Sequence, residues 1–248
     1  MTGPDSRPLT HLSMPQRRRA ASASVVPVRG DEGYTALTSL SPSLMQDLLR
    51  FDSLQGQQQR ELLEVLAACI RHTQPLAIDL VIGRRPLVIS VFPLERLVHC
   101  PMAFDEFLAT DLTTVEVLQV QPARLRPGKA GQQGTGEERQ HFHSLGRLLW
   151  AVALRGARED LLPELAGQAA YRVAPGISLS GLEIPGAMQL CITRLRRQTS
   201  NLREIADWHQ IGRERAMRLL NALYLQSGLI VSRTHPAATN EGWTGYDR

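Results

Sequence analysis

The stretch NLREIADWHQIGRERAMRLLNALYLQSGLIV, residues 201–231, decides the fold of the C-terminal part of the chain. Asn201 is a favoured residue at a helix N-terminus, and Glu204, three positions later, completes a capping box. We therefore expect a short helix to begin after Asn201. Residues 208–212, which end in glycine, predict a tight turn after that helix.

A longer helix is predicted after the turn. Its apolar positions recur at helical spacing and predict a buried face made of Ala216, Leu219, Leu220 and Leu223. Gly228 suits the position just beyond the helix, where a left-handed residue is favoured. Residues 229–233 then predict a strand, and residues 187–198 predict a further helix before the quoted stretch.

This order of three helices, a glycine and a strand resembles bacterial winged-helix or helix-turn-helix domains. The residues that carry the resemblance are 201–206, 211–216, 219–223 and 228–231. The domain that it implies covers residues 186–248, about a quarter of the chain. No return strand is predicted after Arg233, so we expect the wing to be incomplete.

In DNA-binding members of this class, the third helix enters the major groove and its first residues contact base edges. The resemblance implies that Arg213, Arg218 and Asn221 of the third helix would be exposed at the base edges, and that Arg215 or Arg194 would contact phosphate. Glu214 would lie in the same position, and residues 186–248 are only mildly basic. Strong DNA binders usually carry a denser positive charge.

Winged-helix units with a reduced wing also resemble the C-terminal units of multi-domain bacterial signalling proteins, where they mediate protein contacts. The leading hypothesis is therefore a non-enzymatic bacterial regulatory or adaptor protein that acts through contacts with an unidentified protein partner. The alternative is a DNA-binding transcriptional regulator that places the helix of residues 213–227 in the major groove.

Residues 34–122 predict a separate α+β unit, with two helices followed by a small antiparallel sheet. The helices are expected after Ser41-Pro42 and after Gly56. The remaining predicted elements, in chain order, are a hairpin of strands 77–82 and 87–92 with the four-residue turn 83–86, a strand within 94–100, a short helix within 101–111 and a strand at 115–120.

The other segments complete a chain whose predicted fold class is α+β. Residues 1–33 predict a disordered tail, and residues 123–140 predict a linker. Residues 141–185 predict a helical segment, with a second helix at 161–170. One helical face of this segment is expected to be buried or to form a homodimer seam, and it contains Phe142, Leu145, Leu149, Val152 and Ala153.

The composition is that of a globular protein, with 248 residues, 43% apolar and 21% charged, and a formal net charge of +4. It excludes a wholly disordered, collagen-like or coiled-coil chain, and the apolar runs are too short to cross a bilayer. Every basic residue except Lys129 is arginine, which is typical of GC-rich bacterial genomes. Without a signal-peptide pattern at the N-terminus, a cytoplasmic location is expected, with no membrane partner.

No enzyme activity, cofactor or metal site is predicted. Cys69, Cys100 and Cys191 lie far apart and form no paired disulfide or zinc-binding pattern. His141 and His143 are two positions apart, and residues at that spacing do not face the same side of a helix. The motifs GxSxG and HExxH do not occur in the sequence.

Overall fold

The computed structural model describes residues 40–54, 61–125, 127 and 141–240. The predicted tail and most of the predicted linker lie outside these residues, and the predicted domain boundaries stay predictions. The predicted α+β class is confirmed, with an antiparallel five-stranded sheet and a three-stranded sheet. None of the helices in the described ranges combines the length and the apolar composition that crossing a bilayer requires.

The first sheet contains strands β1 (Leu76–Ile82), β2 (Arg85–Phe92), β3 (Leu97–His99), β4 (Val115–Pro122) and β5 (Phe142–Ser144). All neighbouring strands are antiparallel, in the order β4-β1-β2-β3-β5. Buried and partly exposed residues alternate along most of β1, so one face of the sheet packs on the core and the other faces outward.

The hairpin between β1 and β2 is tighter than expected. Ile82 pairs with Arg85, so the loop contains only Gly83 and Arg84, and the prediction of a four-residue turn is wrong. Gly83 has a φ of 62°, which glycine adopts without strain and which two-residue hairpin turns require. Pro86, expected in the turn, belongs to β2.

Helices pack on this sheet and on one another. The predictions of the first three helices are confirmed by α1 (Pro42–Leu54), α2 (Leu62–His72) and α3 (Phe104–Ala109), and α4 (Leu145–Arg155) follows β5 directly. Eight residues of α2 are buried, and this helix contacts α1, α4 and β4. α2 is therefore a core helix rather than a surface helix.

The C-terminal part contains α5 (Gly186–Leu195), α6 (Leu202–Asp207) and α7 (Arg213–Leu225). The capping role predicted for Asn201 is confirmed, because its Oδ1 accepts a hydrogen bond from the Glu204 N–H at 2.9 Å. α7 packs against α6 and also against α4, which follows the last strand of the first sheet.

The three-stranded sheet places β6 (Gln168–Val173) between β7 (Leu229–Ser232) and β8 (Thr239–Asn240). Both neighbours are antiparallel to β6. A short strand, β8, follows Arg233 although none was predicted there, but it pairs with β6, and no strand returns beside β7 in the described residues, as expected for an incomplete wing. A strand of two polar residues has no alternating pattern by which the sequence could reveal it.

Two further predictions, for residues 141–170, are wrong. Phe142 lies in β5, which pairs with β3, and not on a helical face. Residues 161–170 form turns and the start of β6 instead of a helix, and Gly167, with a φ of 83°, leads the chain into the strand. The apolar spacing that suggested a helix belongs to three leucines buried within this turn segment, Leu161, Leu162 and Leu165.

The end of α7 also differs from the prediction. Ser227, with a φ of 57°, is the left-handed residue, and Gly228 is not. The Gly228 N–H donates to Leu223 O and the Ser227 N–H donates to Tyr224 O, both at 2.8 Å, which is a Schellman motif. A Cβ at position 228 would lie 1.8 Å from Ile177 Cδ1 and 3.1 Å from its Cγ1, so the Ile177 side chain must move to admit one.

We predict that Gly228→Ala lowers the free energy of unfolding by about 1–3 kcal/mol, because the added methyl group overlaps Ile177. Urea unfolding followed by circular dichroism measures this change. Gly186→Ala is the matched control, since a Cβ there would meet nothing within 4 Å. In an Ile177→Val background, which removes Cδ1, Gly228→Ala should cost less, and an equal cost in both backgrounds would contradict the overlap.

Candidate functional site

A cleft of about 1250 Å³ lies between α3, α4, residues 181–188 and the first turns of α7. The α4 wall consists of residues spaced by three and four positions, which therefore share one helix face: Arg147, Trp150, Ala151, Leu154 and Arg155. Leu182, Ile184 and Met188 add apolar surface from the segment before and within α5. The cleft thus joins parts of the chain that are far apart in sequence.

The cleft is lined by four arginines: Arg147, Arg155, Arg215 and Arg218. Arg147 Nη2 donates to Asp105 Oδ1 at 2.7 Å, and its guanidinium lies 5.5 Å from the centre of the Phe104 ring. Arg155 Nη2 donates to the carbonyl oxygen of Leu108 at 2.7 Å. These bonds hold both α4 arginines in defined positions beside α3.

The two α7 arginines differ in how firmly they are held. The Arg218 side chain is 10% exposed, and its Nε donates to Glu214 Oε1 at 2.8 Å while its Nη1 donates to Gly156 O at 2.7 Å. Arg215 is exposed, and it makes no hydrogen bond or ion pair with any residue that the structure describes. The donors of Arg215 are therefore the most available ones in the cleft.

Negative charge lines the same cleft. Asp105, Glu183 and Glu214 stand against the four arginines and leave one net positive charge. Trp150 Nε1 donates to the backbone oxygen of Glu183 at 2.9 Å, which holds residues 181–185 against α4. The cleft therefore combines an apolar surface with charges of both signs.

The residues predicted to contact DNA do not form one exposed face. Arg213 and Arg215 are exposed at the start of α7, and Arg194 is exposed on α5. Arg218 and Asn221 are buried, so the expectation that they are exposed is wrong. DNA contact by the exposed arginines stays a prediction.

The contacts of Asn221 explain why the face of α7 that carries it is not exposed to solvent. It is fully buried, its Oδ1 accepts a hydrogen bond from the Leu162 N–H, and its Nδ2 donates to Asp160 O, both at 2.9 Å. A buried amide that satisfies two backbone groups in this way contributes to structure. The middle of α7 therefore binds the segment of residues 156–162 instead of facing solvent.

We predict that Asn221→Ala lowers the free energy of unfolding by about 1–3 kcal/mol, because it leaves the buried Leu162 N–H without a partner, whereas Asp160 O keeps the hydrogen bond from Arg158 Nε at 3.1 Å. Asn221→Asp keeps the acceptor but loses the donor, so it should destabilise the protein as well. Chemical denaturation measures both changes. The exposed Arg203→Ala is the control and should change stability by less than about 0.5 kcal/mol. An Asn221→Ala variant as stable as this control would refute the structural role.

A second group of polar side chains lies where α1 meets α2. Ser43 Oγ is 3.3 Å from His72 Nδ1, and His72 Nε2 is 2.8 Å from Asp47 Oδ2. Arg71 pairs with the same carboxylate and with Glu164. The order of serine, histidine and aspartate is that of a nucleophile relay, but none of these residues lines the cleft. We interpret the cluster as an anchor that joins α1 and α2 to the turn before β6.

Asp47 makes the stability of this anchor depend on pH. Burial raises the pKa of Asp47, but the hydrogen bond with His72 and the charge and hydrogen bond of Arg71 outweigh burial, so the pKa lies below its usual range. The stabilisation is therefore complete above about pH 4 and is lost as the pH falls through the lowered pKa of the folded state.

We predict that Asp47→Asn is less stable than the wild type by about 1 kcal/mol at pH 7, and that this difference shrinks toward zero below about pH 4. Urea unfolding at a series of pH values measures it. Asp207→Asn, at an exposed position on α6, should give no such pH-dependent difference. A deficit for Asp47→Asn that stays constant from pH 7 to about pH 2 would contradict the assignment.

His141 and His143 have aromatic partners. His143 stacks on Phe104 with the ring centres 4.4 Å apart, and His141 lies edge-on to His99 at 5.8 Å. In the part of the chain that the structure describes, no three His, Cys, Asp or Glu side chains form a group that could hold a metal ion. Burial raises the pKa of all three cysteine thiols, which disfavours reactive thiolates.

The sequence analysis missed Arg147 and Arg155. Both lie three to five positions from Trp150, so a helical stripe that mixes arginine with apolar residues was visible in the sequence. Their proximity to Arg215 follows from the packing of α4 against α7, which one sequence does not reveal.

Comparison of the chain with protein-family models, curated proteins and solved structures gives no match. A proposal of function therefore rests on the cleft, on α7 and on the charges that line them.

Proposed function

We propose that the protein is a non-enzymatic, cytoplasmic bacterial regulatory or adaptor protein that acts by binding a partner protein in the cleft between α4 and α7. The observation that carries the proposal is the composition of this cleft. Arg147, Arg155 and Arg215 lie around the partly exposed side chains of Leu154, Leu182 and Ile184 on one concave surface, and arginine is enriched in the centres of protein–protein interfaces.

The burial of α7 also supports a role in protein contact. Nine of its thirteen residues are buried, because the helix packs against α4 as well as α6. A helix that reads the major groove needs a free face along its first turns and middle. In α7 only the first turn offers exposed side chains, and that turn also forms one wall of the cleft.

For the alternative function, a DNA-binding regulator, three of the predicted DNA-contact residues are exposed: Arg194, Arg213 and Arg215. Arg218 and Asn221 are not available to DNA, because their side chains bind other parts of the chain. A DNA-binding surface made of the remaining arginines would contact phosphate groups, and such contacts give affinity without sequence specificity.

A DNA-binding assay across a salt series separates the two functions. We predict that the full chain shows no strongly salt-dependent binding to mixed-sequence duplex DNA. A DNA reader would bind at low salt, and Arg213→Ala/Arg215→Ala would reduce the salt slope by about two. The matched control is Arg84→Ala/Arg172→Ala, which removes the same charge from exposed positions outside the cleft. Binding that the first pair weakens and the control pair does not would establish the alternative and refute the proposal.

Site-specific photo-crosslinking in cells tests protein contact directly. A benzophenone side chain in place of Arg215 should give a discrete protein adduct, and the same group in place of Arg172 should not. Loss of that adduct on adding Leu182→Glu, at a partly exposed position of the cleft, would place the partner there. Identical adduct patterns from both positions would contradict the proposal.

A further inference from the structure

We propose that the cleft binds an acidic peptide segment of the partner, in which carboxylates flank a large apolar side chain. This inference rests on the proposed function and names the chemistry that the cleft recognises. Each step depends on residues of the cleft and on the contacts that hold them.

The arginines supply positioned donors for carboxylates. A guanidinium has five N–H groups, and Arg147 uses one of them for Asp105 while Arg155 uses one for Leu108. Because these bonds already fix the two side chains, less conformational entropy is lost when a ligand carboxylate binds. Arg215, across the cleft on α7, offers all of its donors. Carboxylates on both sides of a bound segment would therefore find partners.

The apolar lining supplies the second element of recognition. Leu154, Leu182 and Ile184 are partly exposed in the same cleft as the arginines. Trp150 beneath them is buried, and its bond to Glu183 O holds residues 182–184 against α4, so these side chains present a fixed apolar surface. A leucine, methionine or aromatic side chain between the two carboxylates would bury apolar area there, which is the usual source of hot-spot energy.

The acidic residues of the cleft argue against a phosphate polymer. Asp105, Glu183 and Glu214 reduce the net charge of the lining to one positive charge. DNA and RNA carry a negative charge on every nucleotide, and three fixed carboxylates would repel that backbone. A peptide with two separated carboxylates can place them against arginines and its neutral parts against these acidic groups.

The size of the cleft favours a segment of a protein over a metabolite. Its volume of about 1250 Å³ exceeds the roughly 300–1,000 Å³ of small-molecule sites. Asp105 and Arg215, on opposite walls, are both exposed, so the cleft opens to solvent where a chain could enter and leave.

The test is a selection of random twelve-residue displayed peptides on the immobilised full-length protein. We expect the enriched peptides to contain two or more acidic residues around a large apolar one. A fluorescent copy of the most enriched peptide is then titrated by anisotropy. Its affinity should fall at least about tenfold for Arg147→Glu/Arg215→Glu and should not change for Arg172→Glu/Arg203→Glu, which reverses the same number of exposed charges outside the cleft.

Each outcome bears on the proposal. Failure to enrich any peptide, enrichment without acidic residues, or equal binding to both variants would overturn it, with circular dichroism showing that the variants are folded. Equal binding to both variants would leave the proposed protein contact intact but move it to another surface. Displacement of the peptide by mixed-sequence DNA would overturn the inference, and it would refute the proposed function as well if the DNA binding showed the arginine-dependent salt slope.

Discussion

The structure depends on the way α7 is bound to α4 and to residues 156–162. Asn221, in its interior, makes two hydrogen bonds to the backbone of residues 160–162. Just beyond its C-terminal end, Gln226 accepts a hydrogen bond from Arg96 at 3.0 Å and donates one to Gly146 O at 2.8 Å. Polar groups buried at such a joint are costly without their partners, so they select one arrangement of the two helices. That arrangement fixes the distance between the walls of the cleft.

The elements that the sequence predicts well are those with local causes. Asn201 begins α6 because its side chain accepts the Glu204 N–H, and the cap needs only residues three positions apart. The errors have distant causes. The leucines at 161–165 have helical spacing, but the structure buries them within a turn, and the pairing of Phe142 depends on β3, more than forty positions earlier in the chain. Gly228 follows the helix as predicted, but Ser227 takes the left-handed conformation expected of Gly228, and the close approach of Gly228 to Ile177 exists only in the folded chain.

The cleft is harder to predict from the sequence than the fold. Its arginines on α4 and on α7 are about sixty positions apart, and each lies on a helix whose pattern predicts a core face. Arg218 and Asn221 have the positions of reading residues in a helix-turn-helix unit. Their polarity instead reflects the backbone groups of residues 156–162, which they bind. A polar residue on a helix can satisfy a neighbouring segment as readily as a ligand, and spacing does not distinguish these roles.

The packing of α7 against α4 and residues 156–162 also determines how the proposed cleft would discriminate between partners. Arg155 and Arg218 each donate a hydrogen bond to a carbonyl oxygen of the chain, so part of their donor capacity is used and both side chains are held in place. Among the arginines that line the cleft, Arg215 alone makes no hydrogen bond or ion pair within the described residues. A long anion gains little from such a surface, because its charge density meets carboxylates as well as arginines. A partner with few, correctly spaced carboxylates gains bonds to positioned donors and avoids that repulsion, so in the proposed complex specificity arises from the acidic residues of the cleft as much as from its arginines.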